Sequence, residues 1–192
     1  IASVQVAPTV RPAVFNEPKA SVTPVAQNIR WSGELFLISI FKETETVRTF
    51  RFALENGDQI PFNYRPGQFL TVTVLVDGKK VKRSYTIASS PSQRDYIEIT
   101  VKREEKGMVS RHLHDHLQVG DPLEISASSG KFTFTGSENE SIVLIAGGVG
   151  VTPMMSVLRY LTAHCWKKEI YFIFGVRTPK DIIFREELAY LE

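Results

Sequence analysis

Residues 141–153, SIVLIAGGVGVTP, combine a short apolar run, a glycine turn and the start of a helix. Ser141 to Ala146 has the length and composition of a buried strand. Three glycines follow within four positions, and we expect Thr152 to cap a helix that has Pro153 in its first turn. A strand joined to a helix in this way is the repeating unit of a parallel sheet.

The same order of elements continues to the end of the chain. A second strand is expected over Glu169 to Val176, and a second helix from about Asp181. The first helix should bury a stripe of Met154, Val157, Leu158 and Leu161. Doubly wound sheets normally have about five or six strands, so we expect residues 138–192 to be a partial α/β domain in a fragment of a longer chain.

Upstream, the sequence pattern over residues 29–137 predicts antiparallel strands. Apolar and polar side chains alternate over residues 49–54, 70–76 and 97–102, which is typical of half-buried strands. Asp77-Gly78 between two such runs is a strong hairpin signal. Only Val109 to Leu117 has helical spacing. Several short strands at this spacing indicate a closed or nearly closed β-barrel.

Residues 1–28 differ from the rest of the chain. Their prolines, at positions 8, 12, 18 and 24, interrupt any long helix or central strand. We interpret this segment as an extended linker or arm, with a docking segment for a partner as the alternative.

Composition limits the class of protein. The chain has 43% hydrophobic and 23% charged residues and a formal net charge of +2, which fits an ordinary globular protein. We expect no nucleic-acid partner, although the nearly balanced charge argues neither for nor against one. We expect no membrane span, because no apolar run approaches about 18 residues. The single cysteine excludes an internal disulfide and a four-thiolate iron–sulfur cluster within this sequence. It favours a reducing compartment, the cytoplasm, although the chain begins at Ile1, where a targeting segment would have been lost.

Four motifs, taken together and in order, resemble the ferredoxin-NADP reductase superfamily, in particular its oxygenase-reductase-like members. They are Pro66-Gly67-Gln68-Phe69, Arg83-Ser84-Tyr85-Thr86, Gly107-Met108-Val109-Ser110 and Gly147 to Pro153, which fits G-G-x-G-x-T-P. The resemblance implies an all-β antiparallel flavin-binding barrel, followed by the start of an α/β parallel-sheet nucleotide-binding domain. It also implies FAD as cofactor, with NADH or NADPH as co-substrate.

The resemblance assigns the flavin ring and its phosphates to the strand at residues 83–86. Alternation places Arg83 and Tyr85 on one face and Ser84 and Thr86 on the other. By resemblance Arg83 binds the pyrophosphate, Tyr85 packs beside the flavin, and Thr86 hydrogen-bonds near the redox-active ring edge. Tyr85 and Thr86 are therefore the catalytic candidates. A solvent-facing strand without ligand is the alternative.

Two further segments complete the expected flavin site. The amides of Gly107, Met108, Val109 and Ser110, with the Ser110 hydroxyl, would surround the pyrophosphate at a helix start. By resemblance Thr100, Val101 and Lys102 lie along the flavin nucleotide, although Lys102 also fits a solvated strand end. The helix-start element favours FAD over FMN. Ser128 stands where the family usually has proline, so the loop at residues 128–132 is expected to be looser.

The second ligand site is expected at the glycine turn. Gly147, Gly148, Val149, Gly150, Thr152 and Pro153 form this turn, and its free amides would face the pyrophosphate of NADH or NADPH. Arg177 follows the second strand, at the sheet edge where ligands bind. It could contact a ribose or a 2′-phosphate, or equally pair with Glu186 or Glu187.

No metal site is expected. His112 and His116 share a helix face, but His114 points away and no further ligand completes a tetrahedral set. Cys165 is interpreted as a buried thiol.

The function implied by the resemblance is electron transfer from NAD(P)H through bound FAD to a protein redox acceptor. That acceptor could be a ferredoxin, an iron–sulfur or oxygenase component, or a haem protein. The alternatives are a non-catalytic flavin- or nucleotide-binding sensor and an interaction module without cofactor. Because residues that follow the second strand–helix unit are expected to contribute to the nicotinamide site, this chain should transfer hydride slowly.

Overall fold

The computed structural model describes residues 30–192, so the predicted arm at 1–28 lies outside the described residues. The first part is a sheet of six strands with one helix. Its elements are β1 (Trp31–Lys42), β2 (Val47–Ala53), β3 (Phe69–Val76), β4 (Lys79–Thr86), β5 (Ile97–Lys102), α1 (Met108–Asp115) and β6 (Pro122–Ser129).

All pairings in this sheet are antiparallel, and the strand order is β4-β3-β6-β1-β2-β5. The sheet curls until Ile87, just after β4, forms a bridge with Ile99 of β5. The predicted all-β antiparallel barrel is therefore confirmed as a curled half-barrel. Its core is continuous and includes Phe50, Phe52 and Leu70, which are fully buried.

Local sequence accounts for the β3–β4 hairpin. Asp77 and Gly78 have φ angles of 48° and 74°, the left-handed conformation that a two-residue hairpin turn requires. In β3, Leu70, Val72 and Val74 point into the core, as their period of two predicts.

Helix α1 covers part of the barrel. Its apolar side chains Val109 and Leu113 are buried in the barrel core, and the helix contacts β3 and β4. The start of α1 is thereby held close to the strand that carries residues 83–86.

The second part is a parallel strand–helix unit, as predicted. It consists of β7 (Ser141–Gly147), α2 (Val151–Ala163), β8 (Glu169–Gly175) and α3 (Arg185–Leu191). A 3₁₀ turn at Gly148–Gly150 joins β7 to α2, and a second one spans Pro179–Asp181 before α3. The second helix thus begins later than the sequence predicted.

Two local predictions in this unit were wrong. Helix α2 begins at Val151 with Gly150 at the cap position, so Thr152 lies inside its first turn and does not cap it. Met155, not Met154, is the fully buried methionine of the helix. The earlier start of the helix accounts for the first difference. In the second, Val157, Leu158 and Leu161 are buried as predicted, and Met154 packs against their cluster while partly exposed.

The parallel sheet is covered on one face among residues 30–192. Leu144 is buried, whereas Val143 and Ile145 are 54% and 63% exposed. The alternation arises because α2 packs on one side of β7 and β8 only, so the continuous apolar run does not become a strand buried on both faces.

The barrel and the parallel unit share a core. Val47 and Ala88 of the barrel belong to the same buried cluster as Leu144, Val151 and Phe184. Within the described residues, no helix is both long and apolar enough to cross a membrane.

Candidate functional site

The predicted flavin-binding residues of strand β4 are exposed or half-buried. Arg83 is exposed, and its Nη1 donates to the carbonyl of Lys82 at 2.8 Å. Ser84 is exposed too, with its hydroxyl 3.1 Å from that of Thr71. Tyr85 and Thr86 are half-buried at the end of the strand. Burial raises the pKa of Tyr85 to about 12 although Arg83 lowers it, so the phenol stays neutral at ordinary pH.

Strand β5 offers fewer side chains than the sequence predicted. Val101 is buried in the barrel core, and its carbonyl accepts a hydrogen bond from His114 Nε2 at 2.8 Å. Thr100 is buried with its hydroxyl 2.7 Å from that of Thr49. Lys102 pairs with Glu104 at 2.8 Å on the surface. A ligand beside this segment would meet Lys102 and backbone, and the roles of all three residues stay predictions.

The turn before α1 is held by Ser110. Its hydroxyl donates to the Gly107 carbonyl and accepts from the Glu104 amide, both at 3.2 Å. A Cβ on Gly107 would collide with that hydroxyl, which explains the glycine sterically. The predicted Gly107 amide is not available to a ligand, because it donates to the Glu104 carbonyl at 3.0 Å. This helix start can therefore offer a ligand the first-turn amides of residues 108–110, whereas the Ser110 hydroxyl is already used.

Ser128 anchors the loop that the missing proline was expected to loosen. It is buried, and its hydroxyl lies 3.0 Å from the Asn63 carbonyl and 3.4 Å from Gln68 Oε1. Gln68, from the Pro66–Phe69 motif, also donates to the Gly130 carbonyl at 3.0 Å. These bonds connect the two turns directly, and a proline at position 128 could not make those of the Ser128 hydroxyl.

The glycine turn is open on its outer side. Gly147, Gly148 and Gly150 are exposed, and a Cβ built on any of them would meet no protein atom within 4 Å. Gly148 has a φ of 50°, which favours glycine, but nothing inside the described chain requires glycine at 147 or 150. Close approach by a ligand is a physical reason for glycine at such positions. Val149 accepts a 3.1 Å hydrogen bond from the Thr152 hydroxyl, and Pro153 lies in the first turn of α2.

Three other predicted residues can be placed. Arg177 is exposed, with its Nε 3.8 Å from Asp181, whereas Glu187 pairs with Arg159, so an Arg177–Glu187 pair is not formed. Cys165 is exposed, not buried, because it lies in a turn just beyond α2 with a φ of 49°. In residues 30–192 no group of three or more His, Cys, Asp or Glu side chains is arranged to hold a metal ion.

The flavin strand and the glycine turn are brought together by residues that the sequence analysis did not single out. The Ala88 and Ser89 carbonyls follow β4, and both accept hydrogen bonds from α2, from Arg159 and Ser156 respectively. Glu98 of β5 alternates with Ile97 and Ile99, a spacing typical of the polar face of a half-buried strand. It is only 2% exposed, since α2 covers that face, and it binds Arg159. The signal in the sequence that could have indicated this buried ion pair is an ionisable residue, Glu98, between two isoleucines.

The residues present fit both expected ligands. The barrel offers an exposed guanidinium at Arg83, the half-buried ring of Tyr85 and the amides that begin α1. The parallel unit offers an open glycine turn at a helix N-terminus, which suits a pyrophosphate. A flavin barrel followed by such a unit defines a flavin- and pyridine-nucleotide-binding oxidoreductase.

Sequence patterns of known families agree with this class. The family described as "Oxidoreductase FAD-binding domain" matches residues 34–134, and the one described as "Oxidoreductase NAD-binding domain" matches residues 144–192. The first match covers more than half of the chain. The chain belongs to this FAD-binding oxidoreductase family, within the ferredoxin-NADP reductase superfamily, as the four motifs indicated.

Similar curated proteins are reductases and flavohaemoproteins. The reductase subunit of glycine betaine monooxygenase from Chromohalobacter salexigens is 40% identical over 154 residues, which is 80% of this chain and 41% of that protein. NADH-cytochrome b5 reductase 1 from Dictyostelium discoideum is 37% identical over 152 residues, 79% of this chain and 52% of that protein. The chain thus spans about half the length, or less, of these relatives.

Similar solved structures have the same architecture. The flavohaem-like FAD/NAD-binding domain of nitric oxide dioxygenase from Vibrio cholerae has a TM-score of 0.76 at 27% identity, covering 86% of this chain and 70% of its own. Phthalate dioxygenase reductase, described as modular for electron transfer from pyridine nucleotides to [2Fe-2S], has a TM-score of 0.74 at 28% identity. The coverage is 82% of this chain and 48% of that structure.

Proposed function

We propose that this chain is the flavin- and nucleotide-binding part of an NAD(P)H-dependent reductase that passes electrons through FAD to a protein acceptor. The observation that carries the proposal is the junction between β4 and α2. Hydrogen bonds from α2 to the Ala88 and Ser89 carbonyls hold the helix that begins at the glycine turn against the end of the flavin strand. Strand β5 also contacts the 3₁₀ turn at 148–150. Two ligands bound at these elements would have their reactive ends on the same side of the junction.

The chain's own residues would bind and orient the two ligands. Arg83 would neutralise the flavin pyrophosphate together with the amides of residues 108–110, in the turn that Gly107 precedes, while Tyr85 and Thr86 would hold the ring. Gly147, Gly148, Val149 and Gly150 would admit the nucleotide pyrophosphate to the start of α2, with Thr152 and Pro153 fixing that turn. When bound, FAD would supply the chemistry of accepting a hydride from NADH or NADPH and releasing electrons singly.

Domain limits and location follow the same reasoning. We assign residues 29–137 to the flavin domain and 138–192 to the nucleotide domain, and residues 1–28 to a linker. The exposed thiol of Cys165 supports a reducing compartment such as the cytoplasm.

The proposed acceptor is the iron–sulfur or oxygenase component of a multicomponent oxygenase. Support comes from the relatives named as reductases of glycine betaine monooxygenase and phthalate dioxygenase. The acceptor would have to approach the flavin from the side that the nucleotide domain leaves open.

An anaerobic visible spectrum of the purified chain tests the proposal, recorded before and after addition of NADH and then NADPH. We expect flavin absorption bands that bleach with one of the nucleotides. Because this chain is expected to transfer hydride slowly, the spectra are followed until they no longer change. Bands that still persist with both nucleotides would contradict a reductase and favour the sensor, which binds nucleotide without reducing the flavin. A colourless chain that takes up no added FAD would contradict both.

A further inference from the structure

Four charged side chains are fully or largely buried where the barrel meets the nucleotide domain. The exposed fractions of the side chains are 3% for Glu98, 12% for Arg159, 19% for Arg51 and 23% for Glu187. Burying charge is costly, and a buried ion pair often adds little net stability compared with an apolar contact. A fixed geometry is a better supported reason for keeping such a group of charges.

Arg159 is the centre of this group. Its Nε and Nη2 donate to the two carboxylate oxygens of Glu187, both at 2.6 Å, in a bidentate pair. Its Nη1 donates to Glu98 Oε2 at 3.0 Å and to the Ala88 carbonyl at 2.8 Å. Although burial lowers the pKa of Arg159, the carboxylates of Glu187 and Glu98 raise it above its ordinary value, so the guanidinium is always charged. Its planar shape makes all of these bonds directional.

Ser156 adds a second bond one helical turn earlier. Its buried hydroxyl donates to the Ser89 carbonyl at 2.9 Å. Residues 156 and 159 lie on one face of α2, and their acceptors are consecutive carbonyls of the chain that leaves β4. Two bonds to neighbouring carbonyls resist both rotation and sliding of the helix.

Helix α2 connects these hydrogen bonds to the glycine turn, so fixing the helix also fixes the position of the turn. It begins at Val151, directly after the glycine turn, and Arg159 lies about 12 Å further along its axis. A tilt of about 5° around Arg159 would therefore move the turn by about 1 Å. A misplacement of this size can lower the rate of an enzymatic step by about a hundredfold.

We propose that Arg159, together with Ser156, is a positioning residue for hydride transfer: it fixes the glycine turn of the nucleotide domain relative to the flavin strand. The inference rests on the proposed function. Arg159 touches neither ligand in this arrangement. It acts through the Ala88 and Ser89 backbone, which continues directly from Tyr85 and Thr86.

Three variants and one control test this inference in the full 192-residue chain loaded with FAD. Arg159→Met removes the guanidinium at similar length, Arg159→Lys keeps the charge without the bidentate pair, and Ser156→Ala removes one donor. Arg185→Ala is the control, because Arg185 is an exposed arginine of α3 outside this group.

Each variant is measured in two ways. Anaerobic stopped-flow absorbance gives the rate constant of flavin reduction at saturating nucleotide. Energy transfer between bound FAD and a dye on Cys165, the chain's single cysteine, reports the geometry of the two domains without requiring turnover. The FAD dissociation constant is recorded for every variant.

For Arg159→Met we expect a rate constant at least about tenfold lower, a broader distribution of energy-transfer lifetimes and an unchanged FAD dissociation constant. Arg159→Lys should restore part of the rate, and Arg185→Ala should match the wild type. A folded Arg159→Met protein with wild-type lifetimes and rate would overturn the inference.

If Arg159→Met does not fold, Ser156→Ala decides, and wild-type rate and lifetimes in that variant would overturn the inference. A wild-type chain whose FAD is reduced by neither nucleotide would contradict the proposed function instead. In that case the lifetime distributions alone decide whether Arg159 fixes the domain geometry.

Discussion

Single residues in this chain separate into those that hold the fold and those left free to meet a ligand. The hydroxyl groups of Ser110 and Thr100 make hydrogen bonds within the protein, and the Val101 side chain is buried in the core. Arg83 and Gly148 differ from these residues. Within the described part of the chain, the Arg83 guanidinium donates to the carbonyl of the adjacent Lys82, and Gly148 faces open space. Substitutions at these two positions should therefore affect ligands more than folding.

Arg83→Ala should weaken FAD binding without destabilising the protein. A charge-assisted bond to a phosphate contributes about 1.5–3 kcal/mol, so we expect the FAD dissociation constant to rise by about tenfold to a hundredfold. Fluorescence titration of the FAD-free chain measures this. Lys82→Ala, on the opposite face of the same strand, is the control. Equal weakening of FAD binding by the two variants would mean that the positive charge of the strand as a whole, and not a specific bond from Arg83, contributes to binding.

Gly148→Ala should weaken nucleotide binding more than it destabilises the fold. The φ of 50° costs an alanine about 1 kcal/mol, and its methyl group would project into the open space beside the turn. Gly57→Ala is a matched control, because Gly57 has a φ of 75° and equally open surroundings far along the sequence from this turn. Urea unfolding should show similar losses for both variants, whereas anaerobic NADH titration should separate them. Wild-type nucleotide affinity in Gly148→Ala would remove the turn from the site.

At the scale of elements, the segment at residues 87–90 joins β4 to the elements that surround it. Tyr64, from the loop before β3, places its hydroxyl 2.9 Å from the Ser90 carbonyl and 2.9 Å from the Ser89 hydroxyl. The Ser89 hydroxyl in turn accepts from the Glu98 amide at 3.0 Å. The exit of β4 is thus fixed by hydrogen bonds from a loop, a strand and α2.

Tyr64→Phe should lower the free energy of unfolding by about 1–3 kcal/mol at pH 7, because it leaves buried acceptors without their donor. Urea unfolding measures the change. Tyr171→Phe is the control, since the Tyr171 hydroxyl bonds to Glu169 on the surface. Equal stability of Tyr64→Phe and the wild type would show that the segment is held without this hydroxyl.

The free energy of unfolding of the same variant should also depend on pH differently from that of the wild type. Burial raises the pKa of Tyr64 well above the 10.0 of a free tyrosine, and raises that of Tyr85 to about 12. The folded state therefore favours the neutral phenols, and their contribution to stability is complete below pH 10 and is lost as the pH rises above it. Tyr64→Phe should show a smaller alkaline loss, and the remainder should come from the other tyrosines whose pKa is raised, which include Tyr85, Tyr96 and Tyr160. An unchanged alkaline loss would contradict this assignment.

At the scale of the whole molecule, the barrel and the parallel unit are joined by apolar packing and by buried charge. The shared cluster includes Val47, Ala88 and Leu144, and Glu98 lies between the guanidinium groups of Arg51 and Arg159. The two halves should therefore unfold together in one cooperative transition.

Glu98→Gln should cost about 3 kcal/mol, because it leaves two largely buried guanidinium groups with less compensation. Calorimetry should also show the transition broadening or dividing in two as the halves uncouple. Glu124→Gln is the control, since its partner Lys80 is 67% exposed, and little change is expected there. A single wild-type transition for Glu98→Gln would mean that the Glu98 carboxylate is not needed to join the halves.

The sequence by itself determined the barrel, the parallel strand–helix unit and the two candidate ligand segments. These depend on local signals: alternation in β3, the Asp77-Gly78 turn, and a glycine turn between a strand and a helix. Only the tertiary structure decided that Glu98 is buried, that the Ser110 hydroxyl is used within its own turn, and that Arg159 and Ser156 bind the segment after β4. Those facts depend on which face of each element another element covers, and such contacts join residues far apart in the chain. Strand periodicity shows that two faces differ, but not that a helix from another domain will cover the polar one.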